Sequence, residues 1–221
     1  NVNQFPRLTT ETVDTGRIQR ALDFIESQGG GTVMVSDAYV VDDTIDIPSN
    51  TALIGGYGNS IKVDDDCTGF YSLFRIHSKE NVTISGINYD GNVDRANYSI
   101  DAPGKPEIAI YIVNSKNVRV TNNRLKTCGI WTISCEVSEN YPYNDFIYIQ
   151  DNVVDYTVGK STDRVGPMMR VDTTQFYIDA KNYWIERNTL NTLNSGTDVA
   201  ETAIEAHRSM GTVRDNVING F

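Results

Sequence analysis

The chain has 221 residues, 39% of them hydrophobic, and a net charge of −10 from 19 basic and 29 acidic side chains. That length permits a single domain, and no apolar run reaches the roughly 18 residues of a membrane-spanning helix. The acidic balance argues against nucleic acid or an anionic membrane as partner, because phosphate binding needs a basic surface, while a local Arg/Lys groove for an anionic glycan stays compatible with it.

The chain opens Asn-Val-Asn, with neither an initiator Met nor an apolar signal region, and the expectation is a segment of a longer protein. Residues 14–31 read as one helix. Asp14 or Thr15 offers the N-cap, Ile18, Ala21, Leu22 and Ile25 share an apolar face, and Gly29-Gly30-Gly31 ends it. Thr32–Val35, Tyr39–Val41 and the stretch from Ile45 to Gly56 follow as strands. Residues 1–31 are thus expected as a leading segment with a capping helix, and 32–221 as the main body.

From residue 81 the chain repeats. Asn117-Val-Arg-Val-Thr-Asn-Asn123-Arg-Leu125 returns as Phe146–Val154, Asn182–Leu190 and Gly211–Ile218, with the shared asparagine at 123, 152, 188 and 216. A looser copy, Asn81–Tyr89, has Ile87 in the asparagine's slot. Periods of this size mark solenoids, whose units bury their apolar face only against their neighbours. Inside each unit, apolar and polar residues alternate on both sides of a turn, which is strand periodicity. Asparagine tolerates a left-handed backbone at a turn, and stacked asparagines can bond side chain to side chain. The expected fold is all-β: a right-handed, single-stranded parallel β-helix with an N-terminal capping α-helix. Val120, Ile149, Ile185 and Val213 should stack inside it. Its C-terminal end, at Phe221 just after an Asn turn, is expected to be truncated, since solenoids need caps. Of the three cysteines, at no metal spacing, Cys128 and Cys135 are expected to point inward as small hydrophobes.

The helix, then Gly-Gly-Gly-Thr-Val at 29–33, Tyr-Val-Val at 39–41 and Pro48-Ser-Asn-Thr-x-Leu-Ile-Gly55 together resemble the N-terminal part of the pectin-lyase-like superfamily. Ile87-Asn-Tyr-Asp-Gly-Asn92 resembles its recurrent Leu-Asp-Gly-Asn turn. The resemblance covers the first 92 residues by motif and the rest by repeat pattern. It implies a β-helix that acts on or binds polysaccharide, closest in character to tailspike and neck-appendage proteins of tailed phages. That character implies an extracellular or virion location, a homotrimer, a cell-surface glycan or wall polymer as partner, and no cofactor, metal, nucleic acid or membrane insertion. The Asp-Asp and Gly-His-Gly signature of polygalacturonases is missing, as is the Tyr-Gly-x-Asp-Pro-His-Glu run of alginate epimerases; Ala203–Arg208 echoes the latter only faintly.

A candidate site follows from stacking. Matching Ala206 to Ile178, both inward and 28 residues apart, sets His207 over Asp179 and Glu205 over Tyr177; Glu136 continues the Asp179 column one coil earlier. Carboxylates beside an imidazole suit acid–base attack on a glycosidic or phosphodiester bond, or mark a solvated surface pair. The candidate catalytic residues are therefore Glu136, Asp179, His207 and Glu205. Tyr177, Arg170, Arg208, Tyr141 and Tyr143 are the candidate substrate contacts. Arg170 or Arg208 would hold an anionic ligand, and the tyrosines of the 136–145 insertion fit sugar stacking or packing on the coil's flank. The insertion at 93–107 is a second place for a binding surface. His77 is expected to be merely exposed, and Asp90, Asn92 and Asp94 fit an Asx turn better than calcium. Three functions fit these features: a depolymerase, a non-catalytic binding shaft or adhesin, and a secreted lyase or epimerase.

Overall fold

The computed structural model describes residues 1–67, 71–92, 108–128, 131–137, 144–157, 174–191, 202–207 and 210–219, with the backbone alone at 127–128, 156–157 and 174–175. Among them, one α-helix precedes three sheets in which every strand pairing is parallel. The chain visits sheet 1, then sheet 2, then sheet 3, and repeats, as a right-handed parallel β-helix. Sheet 1 is built from Gly31–Val35, Thr51–Gly55, Glu80–Ser85, Lys116–Thr121, Asp145–Gln150, Asn182–Glu186 and Met210–Arg214. Sheet 2 holds Ala38–Val41, Ser60–Val63, Asn88–Asp90, Arg124–Cys128, Val153–Thr157, Thr189–Asn191 and Val217–Asn219. Sheet 3 holds Ile45–Asp46, Ser72–His77, Ile108–Val113, Trp131–Glu136, Thr174–Asp179 and Thr202–His207.

Alternation in each strand decides what lies inside. In sheet 1, Ile84, Val120, Ile149, Ile185 and Val213 pair row on row, and all but Val213 are fully buried. Sheet 2 adds Tyr89, Leu125, Val154 and Leu190, with Ile218 half-exposed in the last row, and sheet 3 adds Ile45, Phe74, Ile110, Ile133, Phe176 and the partly buried Ile204. Cys135 belongs to this core, and its burial raises the thiol's pKa well above the ordinary value. The side chain of Cys128 lies outside the described residues.

The helix runs Thr15–Ser27, four residues short of the expected 14–31 at its C-terminal end. Ile18, Ala21 and Leu22 are buried against the first strands of the coil, as a lid on the core requires. Asp14 is the N-cap, but its side chain makes no capping bond. It accepts instead from Arg7 (2.6 and 2.7 Å) and from the Val40 amide (3.0 Å), which ties the helix start to the first coil. Burial acts to raise the Asp14 pKa, and these bonds outweigh it and hold the carboxyl below its usual value.

The asparagine ladder is present, with one correction. Asn123, Asn152 and Asn188 are buried in one column, and each donates from Nδ2 to the Oδ1 of the next, ending on Asn216 (2.9–3.0 Å). The left-handed residue of each turn, however, is the one before: Asn122, Asp151, Arg187 and Asp215, with φ of 56–59°. The ladder asparagines keep ordinary backbone, because their task is to reach inward. Each Nδ2 also donates to a main-chain carbonyl of the coil behind: Ile84, Val120, Ile149 and Ile185 in turn. Ile87 holds the slot in the earliest copy, where its amide donates to Asn123 Oδ1 at 3.0 Å.

Candidate functional site

Two outward columns on sheet 3 carry the polar chemistry. In the first, register sets Asp46, Arg75, Tyr111, Ser134, Tyr177 and Glu205 one above another. In the second, His77, Val113, Glu136, Asp179 and His207 follow the same rows, Glu136 meeting Asp179 one residue beyond the Cys135–Ile178 pair. The pairing of His207 with Asp179 and of Glu205 with Tyr177 is therefore the one inferred from the sequence. Glu136 shares their face.

The three acids sit in different surroundings. Glu136 accepts from Tyr111 Oη at 2.8 Å on Oε2 and from Ser134 Oγ at 3.0 Å on Oε1, so both oxygens act as acceptors. Burial, then the Glu136 carboxylate, pushes the Tyr111 phenol far above its ordinary pKa, so it remains a donor. Glu205 meets His207, two residues on along the same strand, with Oε1 2.5 Å from Nε2. The His207 ring also lies 5.2 Å from that of Tyr177.

Asp179 departs from the sequence expectation of an exposed column. It is only 8% exposed, and its Oδ1 is buried without a hydrogen-bond partner. Ser134 and Thr132, which alternate with Ile133 and Cys135 along the strand, are fully buried too. Ser134 lies between Tyr111 and Tyr177 on the neighbouring rows, and large aromatic side chains cover a small one. His77 is exposed, as expected.

Two contributors had escaped the sequence. Tyr111 is one. Asn144 is the other: fully buried, it donates from Nδ2 to the carbonyls of Glu136 (2.8 Å) and Asp179 (3.2 Å), and its Oδ1 accepts from the Ser115 amide at 2.8 Å. One amide thus pins the strand ends that present both carboxylates. The alternation of Ile110, Tyr111 and Ile112 marks Tyr111 as outward, but its column is hidden by uneven coils. Residues 77, 113, 136, 179 and 207 of the second column are separated by steps of 36, 23, 43 and 28.

Arg170, Arg208, Tyr141 and Tyr143 lie outside the described residues, as does nearly all of the two long insertions. The described cation on this face, Arg75, is engaged by Asp46 in a two-point pair at 2.6 and 2.7 Å. Among the described residues no three His, Cys, Asp or Glu side chains are grouped to hold a metal ion, and no helix is long and apolar enough to cross a membrane.

No protein-family model matches the chain, and no curated protein matches it in sequence. Solved structures do match. A protein of Parabacteroides merdae ATCC 43184, provisionally named a glycosyl hydrolase, superposes with a TM-score of 0.65 at 16% identity, over 98% of this chain and 92% of that one. The surface protein and adhesin PfbA of Streptococcus pneumoniae superposes with a TM-score of 0.71 at 15% identity, over 97% of this chain, which spans 60% of PfbA's length. At such identities the likeness concerns architecture alone. The chain has the parallel β-helix fold that its repeats and N-terminal motifs predict.

Proposed function

We propose that this chain is a glycan depolymerase β-helix of the tailed-phage appendage kind, cleaving a cell-surface polysaccharide or teichoic-acid-like polymer on the outer face of sheet 3. The observation that carries the reading is Asp179: a buried carboxyl with an unpartnered oxygen, one row from Glu136 and one from His207. Buried polar atoms are nearly always satisfied, so an orphan oxygen on a polar face suits a ligand atom. Asp179 delivers its proton to the glycosidic oxygen as the bond to the anomeric carbon breaks. Glu136, oriented by Tyr111 and Ser134, meets the developing positive charge at that carbon or takes the proton of the attacking water. Adjacent rows are about 4.8 Å apart, close to the roughly 5–5.5 Å between carboxyls of retaining glycosidases. Tyr177 and the Glu205–His207 pair line the neighbouring subsite, with Arg170, Arg208, Tyr141 and Tyr143 as its further contacts. The assembly is a homotrimer on a virion or outside the cell.

Mass spectrometry of products from purified wall and capsular glycans tests this. Fragments heavier by one water, lost in Glu136→Gln and Asp179→Asn, are expected. An unsaturated sugar would replace hydrolysis with elimination, and intact polymer throughout would overturn catalysis. The architectural match to an adhesin favours a second reading in that last case, a shaft that binds polymer without cutting it.

A further inference from the structure

We infer that the outer face of sheet 1 holds a second glycan-binding site, a shelf on the Trp184 ring that takes one neutral pyranose unit. Its ligand class rests on the glycan reading above; its geometry is independent of sheet 3. Arg119, Tyr148, Trp184 and Thr212 follow one another in register up four coils. The Arg119 guanidinium lies 4.0 Å from the centre of the Tyr148 ring. The Tyr148 and Trp184 rings stack at 4.7 Å and 9°, and Phe146 lies parallel to Trp184 at 6.4 Å. A cation thus closes the lower end of the stack.

The next row up offers Thr212, whose side chain is too short to cover an indole ring. Met210, two residues before Thr212 on the same strand, stands on one side of the Thr212 row. Arg214 stands on the other, its Nε donating to Glu186 at 2.8 Å. Phe146, 45% exposed, extends the apolar edge below.

Charge decides the occupant. Glu186 is engaged by both Arg187 and Arg214, and Asp151 by Arg187, so the ion pairs along this edge compensate one another. A flat apolar face with polar donors at its rim and balanced charge complements a neutral pyranose, whose C–H face stacks while its hydroxyls reach the rim.

The chain contains two tryptophans, one at each site: Trp184 here, and Trp131 on sheet 3 with its ring 6.1 Å from that of Tyr177. In a Trp131→Phe background, emission therefore reports on the shelf alone. Titration with cellohexaose, chitohexaose and mannohexaose should give a saturable change with at least one. Thr212→Phe, which continues the stack into the ligand's space, should weaken that binding about tenfold or more with the melting temperature retained. Glu136→Gln should leave it unaltered. No saturable change with any of the three, or equal affinity in Thr212→Phe, overturns the shelf. So does self-association that Thr212→Phe abolishes, which would assign the stack to a second copy of the chain. Loss of the cleavage reading would show in the products and leave this titration intact; loss of the shelf would leave the products intact.

Discussion

The asparagine column between sheets 1 and 2 and the carboxylate column on sheet 3 climb the same coils under opposite rules. In the first, the four coils from Asn123 onward supply the same residue, and both ends of each buried amide are bonded: Asn152 accepts from Asn123, donates to Asn188 and donates to the Val120 carbonyl. In the second, Val113, Glu136, Asp179 and His207 differ from coil to coil, and Asp179 keeps a buried oxygen without a partner. A satisfied network stabilises, whereas an unsatisfied polar atom costs about 1–3 kcal/mol. The contrast teaches where this solenoid keeps stability and where it leaves chemistry open.

The sharpest way to break the comparison is at Glu136. Glu136→Gln preserves size and the bond from Tyr111 but removes the charge. If the column is catalytic, turnover of the cleaved glycan should fall about 10²- to 10⁴-fold with an unchanged melting temperature. Double substitution with Asp179→Asn should cost little more than either alone, because groups acting as one unit are lost together. Full activity in Glu136→Gln would reduce sheet 3 to a solvated face.

Next in size is packing below the ladder. Ile185 is fully buried between Ile149 and Val213. Ile185→Ala should lower the unfolding free energy by about 2–5 kcal/mol, read by denaturant titration, since a close-packed core relaxes poorly into the cavity. A loss below about 1 kcal/mol would contradict the register. Slightly smaller is Asn152→Ala, which strands the Val120 carbonyl and the Asn123 amide groups inside the coil. A loss of about 2–4 kcal/mol is expected, with product formation retained.

These two regions also differ in how far the sequence disclosed them. The ladder was legible because its hydrogen bonds demand one residue type at one place per coil, so the physical constraint is itself a repeat. What the repeat concealed is that the left-handed backbone falls one residue earlier, where Asn122, Asp151, Arg187 and Asp215 share a conformation and not a residue type. On sheet 3 the inward alternation of Ile178 and Ala206 was enough to align Asp179 with His207. Tyr111 was not found, because its coil is far shorter than the next. Asn144 was not found because its row holds Ser115 and Ala180 on either side, so one buried amide does its work without a repeat. The burial of Asp179 depends on neighbours in other coils, which no single strand pattern reports.

The smallest expected effect separates the two columns most directly. Asp179→Asn keeps the shape of the side chain but removes a carboxylate that is nine-tenths buried with one oxygen unpartnered. The new amide carries no charge, and its two N–H donors can find a partner where Oδ1 has none. The variant should therefore gain about 1 kcal/mol in unfolding free energy while losing most of its activity, the trade expected of a strained site. Asn152→Ala should do the reverse. Denaturant titrations of both variants, run beside an assay of product release, decide the matter. A loss of stability in Asp179→Asn as large as that in Asn152→Ala would mean that the carboxylate is bonded in solution. The two columns would then follow one rule, and Asp179 would belong to the scaffold.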